Sequence, residues 1–380
     1  CRFDEKVLNI EEAGGTLGIV GLVTPAPPFA GGGDPIATIP GFMIGQQDAN
    51  IIRLNDAVVS FDPANGIALV GTMVSSSSRG PQHEDTTLLK PEIGAPGASV
   101  SAVAATGTGV EPFGGTSGAS PMVAGSAALL LQAYPGLIPA EVKARLMNTG
   151  YTDITTGPGT DLAPITRIGG GEVRVDRALA APAAAWDDDT LQGGLSFGFI
   201  DVDKDTVVLH KTVRVRNYSD EDIRYTVTPT FRYQDDVDTG AVSVSVPNGK
   251  VRVKAGRDAK IPVKMTINGA NLRGNFMNSG SQGANPAGLT TNEYDGYLVL
   301  DDGSQPIHLP WHVLPRKAAN VVGRKVLNVQ GGVDVVDLTN NGVGTAQIDA
   351  YSLVALSPNL PEGGLGQQSP TPDLRAVGVN

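Results

Sequence analysis

Cysteine is nearly absent from this 380-residue sequence, in which Cys1 is the single example. One thiol can form neither an internal disulfide nor a cysteine-based metal cluster, so both kinds of framework are excluded. Basic residues are also in short supply, with 28 Lys and Arg against 39 Asp and Glu and a net charge of −11. That balance argues against a nucleic-acid partner, which requires a basic footprint. Long apolar runs are lacking, and the stretch near Ala127–Leu131 is far shorter than the roughly 18 residues of a transmembrane segment, so none is expected.

Glycine and proline are abundant, with 49 and 27 residues, and 41% of the chain is hydrophobic. This is enough apolar material for several cores, and at roughly 150 residues per domain the length predicts two to three domains. Residues 1–183 mix apolar runs, helical periods and glycine-rich turns, which is typical of an α/β fold. From about residue 195 to 316 the hydrophobic period becomes two, which predicts an all-β sandwich.

Two helices are predicted in the α/β part. The first covers Gly118–Tyr134, is apolar on every face and carries Pro121 in its first turn, where a missing N–H costs nothing. A helix that is apolar all round and too short for a membrane should be central and buried. The second begins at Pro139, and Glu141 and Arg145 in it are spaced as an i,i+4 ion pair.

Several shorter elements are predicted from local pattern. Residues 67–74 and 100–104 are strand candidates, and an amphipathic helix over residues 3–10 precedes an apolar strand over 17–23. Residues 184–194, which end an Ala/Pro-rich stretch and include Asp187-Asp188-Asp189, indicate a solvated linker. Asn340-Asn341-Gly342 predicts a hairpin turn between two strands.

The segment that carries chemistry is Gly114-Gly115-Thr116-Ser117-Gly118-Ala119-Ser120-Pro121. It places Ser117 on a glycine-rich turn that opens a helix. The first N–H groups of a helix have no internal acceptor and carry a partial positive charge. A hydroxyl there can act as a nucleophile while backbone N–H groups bind the developing oxyanion. The alternative is that Ser117 is simply the N-cap of the helix.

Further stretches stand in a fixed order around this segment: Ser76-Ser77-Ser78-Arg79-Gly80-Pro81, Leu89–Gly97, Pro139–Thr149 and Gly169–Leu179. Over residues 65–183 the series closely resembles the C-terminal half of the catalytic domain of subtilisin-like serine proteases (subtilases). The resemblance implies that Ser117 is the nucleophile of a serine endopeptidase, and that Gly115 and Thr116 line the oxyanion and primed-side region. Where the family usually has Met beside the nucleophile, this sequence has Gly118.

Two weaker resemblances complete a domain organisation. The opening stretch is similar to the second part of a protease-associated domain, and Asp295–Leu300 with Leu309–Pro315 is similar to the fibronectin-III-like domain of such enzymes. The predicted boundaries are residues 1–54 for the protease-associated part, 55–183 for half of the catalytic domain, 184–194 for the linker, 195–316 for the sandwich and 317–380 for a further β module or tail.

The resemblance also implies what is not in the sequence. Subtilases place their catalytic Asp, His and oxyanion Asn ahead of the protease-associated insertion, and no family His motif surrounds His83, His210, His308 or His312. These four residues are interpreted as loop, structural or surface residues. Without a general base a serine hydroxyl is a weak nucleophile. We therefore expect a C-terminal part of a longer protease that is inactive alone, lacks the N-terminal half of its catalytic domain and has poor solubility.

Other interpretations remain open at this point. An α/β-hydrolase needs a Gly-x-Ser-x-Gly elbow followed by more α/β units. An amidase-signature enzyme needs a Lys far upstream, and Lys90 lies within the Lys-Pro-Glu stretch that the subtilase resemblance already includes. The serious alternative is a non-catalytic pseudoenzyme or binding module on a cell surface. Asp201–Asp205 lacks the Gly and Glu of a calcium loop and indicates an acidic turn. Calcium is possible by resemblance, but the sequence identifies no ligands. The resemblance implies protein or peptide substrates and a secreted or cell-surface location.

Overall fold

The structure, a computed structural model, describes residues 2–23, 36–55, 58–60, 62, 64, 68–74, 76–82, 85–274, 286–324, 335–349, 352–356 and 376–379. Its first elements are helix α1 (Phe3–Glu12), strands β1 (Gly18–Gly21) and β2 (Gly41–Ile44), and helix α2 (Gln46–Leu54). Strands β1 and β2 pair in parallel, and the apolar side of α1 covers them through Val7, which is buried. The predicted helix and strand at the start of the chain are thus confirmed.

A helical unit follows, defined here by β3 (Ala98–Ala102), β4 (Val110–Gly114), α3 (Thr116–Ala133), α4 (Pro139–Asn148), α5 (Ile165–Ile168) and α6 (Val175–Ala180). Strands β3 and β4 form an antiparallel hairpin. Helices α3, α4 and α6 pack around one small core, whose buried members are Leu130, Val142, Leu146 and Ala178. Both predicted helices are therefore confirmed in position.

The prediction that α3 is buried on all sides is wrong for the described structure. Only Gly118, Ser126 and Leu130 of its residues are buried, while Leu129 and Leu131 are 48% and 43% exposed. One side of α3 faces α4 and α6, and no described element covers the other side. The apolar pattern therefore correctly indicates a helix with two apolar faces, of which the described residues bury one.

The strand predicted over residues 67–74 is also wrong where the structure describes it. In residues 68–74 the backbone makes one isolated parallel bridge, from Thr72 to Thr155, and Val70 is 94% exposed. A β-ladder needs a neighbouring strand along its whole length, and the described residues provide a partner only at Thr72. In contrast, β3 lies where residues 100–104 predicted a strand.

Two sheets, one of five strands and one of four, account for most of the structure of residues 183–317. We call them together the two-sheet unit, which consists of β5 (Ala183–Asp187), β6 (Leu195–Val202), β7 (Thr206–Asn217), β8 (Ile223–Phe231), β9 (Val242–Ser245), β10 (Lys250–Val253), β11 (Asp258–Asn268), β12 (Tyr294–Asp301) and β13 (Ile307–Lys317), with helices α7 (Gln234–Thr239) and α8 (Pro286–Asn292). The order is β10-β8-β12-β13-β6 in one sheet and β5-β7-β11-β9 in the other. All pairs are antiparallel except β13 with β6.

The five-stranded sheet is covered on both faces. Its alternate residues Leu298 and Trp311 join the core shared with the four-stranded sheet. The residues between them face the helical unit, where Tyr297 packs with Leu89, Met147 and Ile165. Because both faces are buried, residues 294–298 form an unbroken buried run rather than an alternating one.

The solvated linker predicted for residues 184–194 is wrong. Residues 183–187 form β5, every residue of which is buried, and β5 pairs with β7 across Ala185 and Val215. Asp187 is fully buried and is paired with Lys211 at 2.5 Å. The alanines have small side chains that let β5 lie between α4 and the core, so an alanine-rich stretch that resembles a linker is in fact an edge strand.

The Glu141–Arg145 pair in α4 is also not formed in the described structure. Both side chains are buried, and each has partners outside the helix. Glu141 accepts a hydrogen bond from the Tyr218 hydroxyl at 3.0 Å, whereas Arg145 donates to backbone carbonyls at the C-terminal end of α6. Helix α4 lies between α3 and the two-sheet unit, and this burial directs its polar residues to tertiary partners.

The described residues after the two-sheet unit include the short strands β14 (Val321–Val322), β15 (Thr339–Asn340), β16 (Ser352–Leu356) and β17 (Ala376–Val379). The hairpin predicted at Asn340-Asn341-Gly342 is wrong, because β15 pairs with β14 and residues 345–349 are not a strand. The Asn340 side chain instead accepts from the Gly342 N–H at 2.9 Å, which turns the chain locally.

Candidate active site

The turn that precedes α3 is built by close backbone contacts. The Gly115 N–H donates to the Gly97 carbonyl at 2.7 Å, which ties the end of β4 to the residue just before β3. Gly115 has φ 77°, in the left-handed region that glycine adopts without strain. A Cβ at Gly114 would lie 3.1 Å from the Gly97 carbonyl oxygen, so glycine at that position lets the two backbones approach. The chain can thus pass directly from β4 into α3.

Ser117 lies in the first turn of α3 and is exposed. The N-cap is Gly115, so the interpretation of Ser117 as the N-cap is wrong. Within the described residues, the Ser117 hydroxyl has no hydrogen-bond partner. The N–H groups of Thr116 and Ser117 likewise have no acceptor there, as the first N–H groups of a helix generally do not. An exposed hydroxyl therefore lies beside unused donors at the positive end of an 18-residue helix.

Gly118 is the buried member of this turn, and its surroundings explain why glycine fits. A Cβ there would lie 2.7 Å from Oγ of Ser99 and 3.2 Å from the carbonyl oxygen of Phe113. Ser99 itself donates to that carbonyl at 2.5 Å. The turn is thus packed tightly against the β3–β4 hairpin. Sequence reasoning did not identify Ser99 or Gly97, since their role depends on contacts between segments.

Two of the other stretches that carry the resemblance, Leu89–Gly97 and Gly169–Leu179, contact each other through their backbones. The Gly170 N–H donates to the Glu92 carbonyl, and the Gly94 N–H donates to the Gly171 carbonyl, each at 2.8 Å. The Glu92 side chain accepts from Lys90 at 2.9 Å and Lys143 at 2.7 Å. Partial burial raises the pKa of Glu92, but these two ammonium groups outweigh it and lower the pKa below its ordinary value. The structure therefore brings together residues that the sequence separates by about 80 positions.

The described histidines do not surround Ser117. His210 lies in β7 opposite Lys264. His308 and His312 lie in β13, where His308 contacts the Gly170 carbonyl at 2.8 Å and His312 is buried against Glu293 at 3.1 Å. These three positions agree with the structural interpretation of the sequence, and His83 lies outside the described residues. Among the described residues, no histidine contacts Ser117.

A cavity of about 630 Å³ lies apart from Ser117, where α4, α6 and the β12–β13 loop meet. Its wall includes Tyr151, Asp153, Asp176, Arg177 and His308. Burial lowers the pKa of His308 to about 4, and the bond to the Gly170 carbonyl opposes that shift. The imidazole is thus neutral at pH 7. None of the residues of the Ser117 turn contributes to this cavity.

The acidic segment Asp201–Asp205 forms the turn from β6 to β7, as its pattern indicated. Asp201 is exposed and pairs with Arg316 at 2.5 Å. In the described ranges, no cluster of three or more His, Cys, Asp or Glu side chains could hold a metal ion. No helix in the described ranges is both long enough and apolar enough to cross a membrane.

Residues 16–178 match the model of the subtilase family. The minor extracellular protease Vpr of Bacillus subtilis (strain 168) is 27% identical over 248 residues, which are 62% of this chain and 30% of that protein. The subtilisin-like protease SBT1.4 of Arabidopsis thaliana is 33% identical over 150 residues, covering 33% of this chain and 19% of that protein. The subtilisin-like protease SBT3.7 of the same plant is 40% identical over 109 residues, which are 26% of this chain and 14% of that protein. The chain thus spans less than a third of the length of these relatives.

Proposed function

Because residues 16–178 of the chain belong to the subtilisin-like serine proteases, we propose that Ser117 is the nucleophile of a serine endopeptidase. The observation that carries the proposal is the position of Ser117. Its side chain is exposed in the first turn of α3 and has no hydrogen-bond partner among the described residues. Its hydroxyl would attack the carbonyl carbon of a peptide bond in a protein or peptide substrate. The amine leaves and an acyl-enzyme forms on Ser117, which water then hydrolyses.

The residues around Ser117 fit supporting roles. The unused N–H groups at the start of α3 are the kind of donor that stabilises an oxyanion, and they are fixed by the helix before the reaction begins. Gly115 and Thr116 would line the same region, since they immediately precede the nucleophile and leave the turn open to a substrate backbone. Gly118 would hold the turn against Ser99 and Phe113.

Among the described residues, no side chain is placed to act as a general base for Ser117. Three histidines lie in the two-sheet unit, where His308 and His312 have partners of their own, and His83 has no family motif around it. Removal of the base of a serine triad costs several orders of magnitude in rate. We therefore propose that the Asp, the His and the oxyanion Asn come from polypeptide outside these residues, and that the 380-residue chain alone does not hydrolyse peptides measurably.

The remaining parts of the chain support a multidomain protease. We propose that residues 1–54 are part of a protease-associated domain and that the two-sheet unit is a fibronectin-III-like sandwich, since its two sheets share one core. We also propose that the protein acts outside the cell, at the surface or in the medium. The Bacillus relative is an extracellular protease by name, which supports that location.

Labelling with a fluorophosphonate probe tests the proposal. The natural gene product, translated together with whatever coding sequence precedes Cys1, should be labelled, and Ser117→Ala should abolish the labelling. Ser120→Ala is the matched control, because Ser120 is exposed in the same helix turn and should leave labelling unchanged. The 380-residue chain alone should not be labelled above its Ser117→Ala variant.

Two outcomes would contradict parts of this proposal. Labelling of the 380-residue chain that depends on Ser117 would show that the base lies within these residues. Absence of labelling in the natural gene product would favour the non-catalytic alternative, in which the two-sheet unit and the N-terminal segment serve as a binding module.

A further inference from the structure

The turn that carries Ser117 is supported by Gly97 and, through it, by Val74. The Gly97 carbonyl accepts from the Gly115 N–H at 2.7 Å. A Cβ at Gly97 would lie 3.3 Å from Cγ2 of Val74, so the Val74 side chain packs directly against this glycine. A shift of Val74 would therefore move Gly97, and with it the acceptor that holds the residue at the start of the nucleophile turn.

Val74 is held by a side chain rather than by a sheet. Within the described residues, no β-ladder includes it. Its carbonyl accepts from the Ser77 N–H at 3.0 Å and from Nη2 of Arg167 at 3.1 Å. The same nitrogen donates to the Ser77 carbonyl at 3.4 Å. One nitrogen atom of Arg167 thus fixes both ends of the turn from Val74 to Ser77.

Arg167 is placed for this contact rather than for an ion pair. Among the described residues it has no carboxylate partner, and its Nε is buried without a hydrogen-bond partner. A half-buried guanidinium without a carboxylate is costly, because burial removes its hydration and no opposite charge replaces it. The bonds to the Val74 and Ser77 carbonyls are the side-chain interactions that offset this cost.

The two-sheet unit sets the position of Arg167. Arg167 belongs to α5, in which the Ile165 N–H donates to Oδ2 of Asp295 at 2.6 Å and the Thr166 hydroxyl donates to Glu293 at 2.8 Å. Both acceptors belong to the two-sheet unit and are at most 1% exposed. Three consecutive residues of α5 thus join the two-sheet unit to the support of the nucleophile turn.

The residues that follow this turn are tied to the same place. The Gly80 N–H donates to the Thr166 carbonyl at 2.8 Å. Arg79 is paired with Glu293, which also accepts from Thr166. The chain from Val74 to Gly80 is therefore held at both ends by α5, so a movement of α5 would displace Val74.

We propose that Arg167 is a positioning residue for Ser117, through which the two-sheet unit fixes the nucleophile turn. The inference rests on the proposed role of Ser117 as the nucleophile. Arg167 does not bond to Ser117 in the described structure and acts through Val74 and Gly97. A nucleophile reacts fast only at a fixed place, and misplacement by about 1 Å can cost about a hundredfold in rate. The two-sheet unit thus influences the reaction rate although Ser117 lies in the helical unit.

The first test measures the rate at which a fluorophosphonate labels Ser117 in the natural gene product. Arg167→Met should lower this rate by up to about a hundredfold, because the turn loses its donor. Arg167→Lys should restore most of the rate, since one nitrogen serves both carbonyls and an ammonium group can replace it. Arg174→Met is the matched control. Arg174 is 31% exposed and pairs with Glu172, so its loss should leave the rate unchanged.

Val74→Ala tests the same path and applies even where Arg167→Met does not fold. It removes the side chain that packs against Gly97 and keeps the carbonyl that Arg167 holds, so it should also slow labelling. If the wild type is labelled and both variants keep its rate, the inference is overturned and the proposed function stands. If the wild type is not labelled, the proposed function is overturned and the second test decides the inference.

The second test needs no activity. Hydrogen exchange at the Gly115 amide of the 380-residue chain reports the bond to Gly97. Arg167→Met should speed that exchange and leave exchange in β11 at its wild-type rate, and Arg167→Lys should restore slow exchange. Unchanged exchange at Gly115 would overturn the inference. Equal acceleration at Gly115 and in β11 would also overturn it, because Arg167 would then stabilise the fold as a whole and not the turn.

Discussion

Replacement of Arg145 by Met should be among the most destabilising single changes in the chain. Arg145 is 1% exposed, and it donates to the carbonyls of Ala178 at 3.1 Å, Leu179 at 3.3 Å and Ala181 at 2.7 Å. Its guanidinium also lies between two aromatic rings, 4.6 Å from that of Tyr134 and 4.9 Å from that of Tyr218. One side chain thus joins α4, the end of α6 and the two-sheet unit.

The size of the effect can be bounded from these contacts. A hydrogen bond to a charged group contributes about 1.5–3 kcal/mol, and each cation–π contact about 0.5–2 kcal/mol. The sum overstates the loss, because removal of a buried guanidinium also removes the cost of its desolvation. The same desolvation lowers the pKa of Arg145 in the folded chain. We expect Arg145→Met to lower the free energy of unfolding by about 2–4 kcal/mol. Arg145→Lys should recover little, since an ammonium cannot reach three carbonyls in a plane.

Urea unfolding at 25 °C, followed by circular dichroism with linear extrapolation, measures the change. Lys143→Met in the same helix is the control. Lys143 is 44% exposed and pairs with Glu92, so its loss should cost less than about 1 kcal/mol. If Arg145→Met is as stable as Lys143→Met within about 0.5 kcal/mol, the assignment of Arg145 as the link between these elements is refuted.

Three further predictions concern pH, backbone conformation and surface. Because burial lowers the pKa of His308 to about 4, stability should fall as the pH drops from 6.5 towards 4, and a urea titration of His308→Gln should lack that component. Gly159→Ala should cost about 1–2 kcal/mol from positive φ alone, whereas Gly169→Ala should cost clearly more in the same assay, since its Cβ would lie 2.1 Å from a backbone oxygen. Equal costs would contradict the contact. Leu129 and Leu131 are exposed in α3. Their joint replacement by Gln should raise solubility in a precipitation assay without lowering the melting temperature. A lower melting temperature would show that both side chains are buried.

Regular elements were predicted well wherever the sequence period reflects a local rule. The start of α4 at Pro139 and the alternation in β7 and β8 depend on proline geometry and on the two-residue period of a strand. Failures occurred where neighbours decide the outcome. Residues 183–187 look like a linker but pair with β7, and residues 68–74 look like a strand but find a partner only at Thr72.

The candidate site divides in the same way. The residue types around Ser117 and their order were enough to suggest a nucleophile and its family, because a glycine-rich turn before a helix is encoded locally. Only the tertiary structure shows that Ser117 is exposed, that Gly115 is the N-cap and that Gly118 contacts Ser99. No sequence pattern places Ser99, 19 residues upstream, against the turn, since a hairpin must form first.

The sequence by itself determined the composition limits, the positions of α3 and α4, and the serine around which a function can be proposed. Those properties depend on neighbours along the chain. Only the tertiary structure decided that Asp295 faces His312, that Glu141 and Arg145 turn away from each other, and that α4 lies between two units. Burial is the physical reason, because removal of a charged group from water makes its pKa and its partner depend on whatever the fold places beside it.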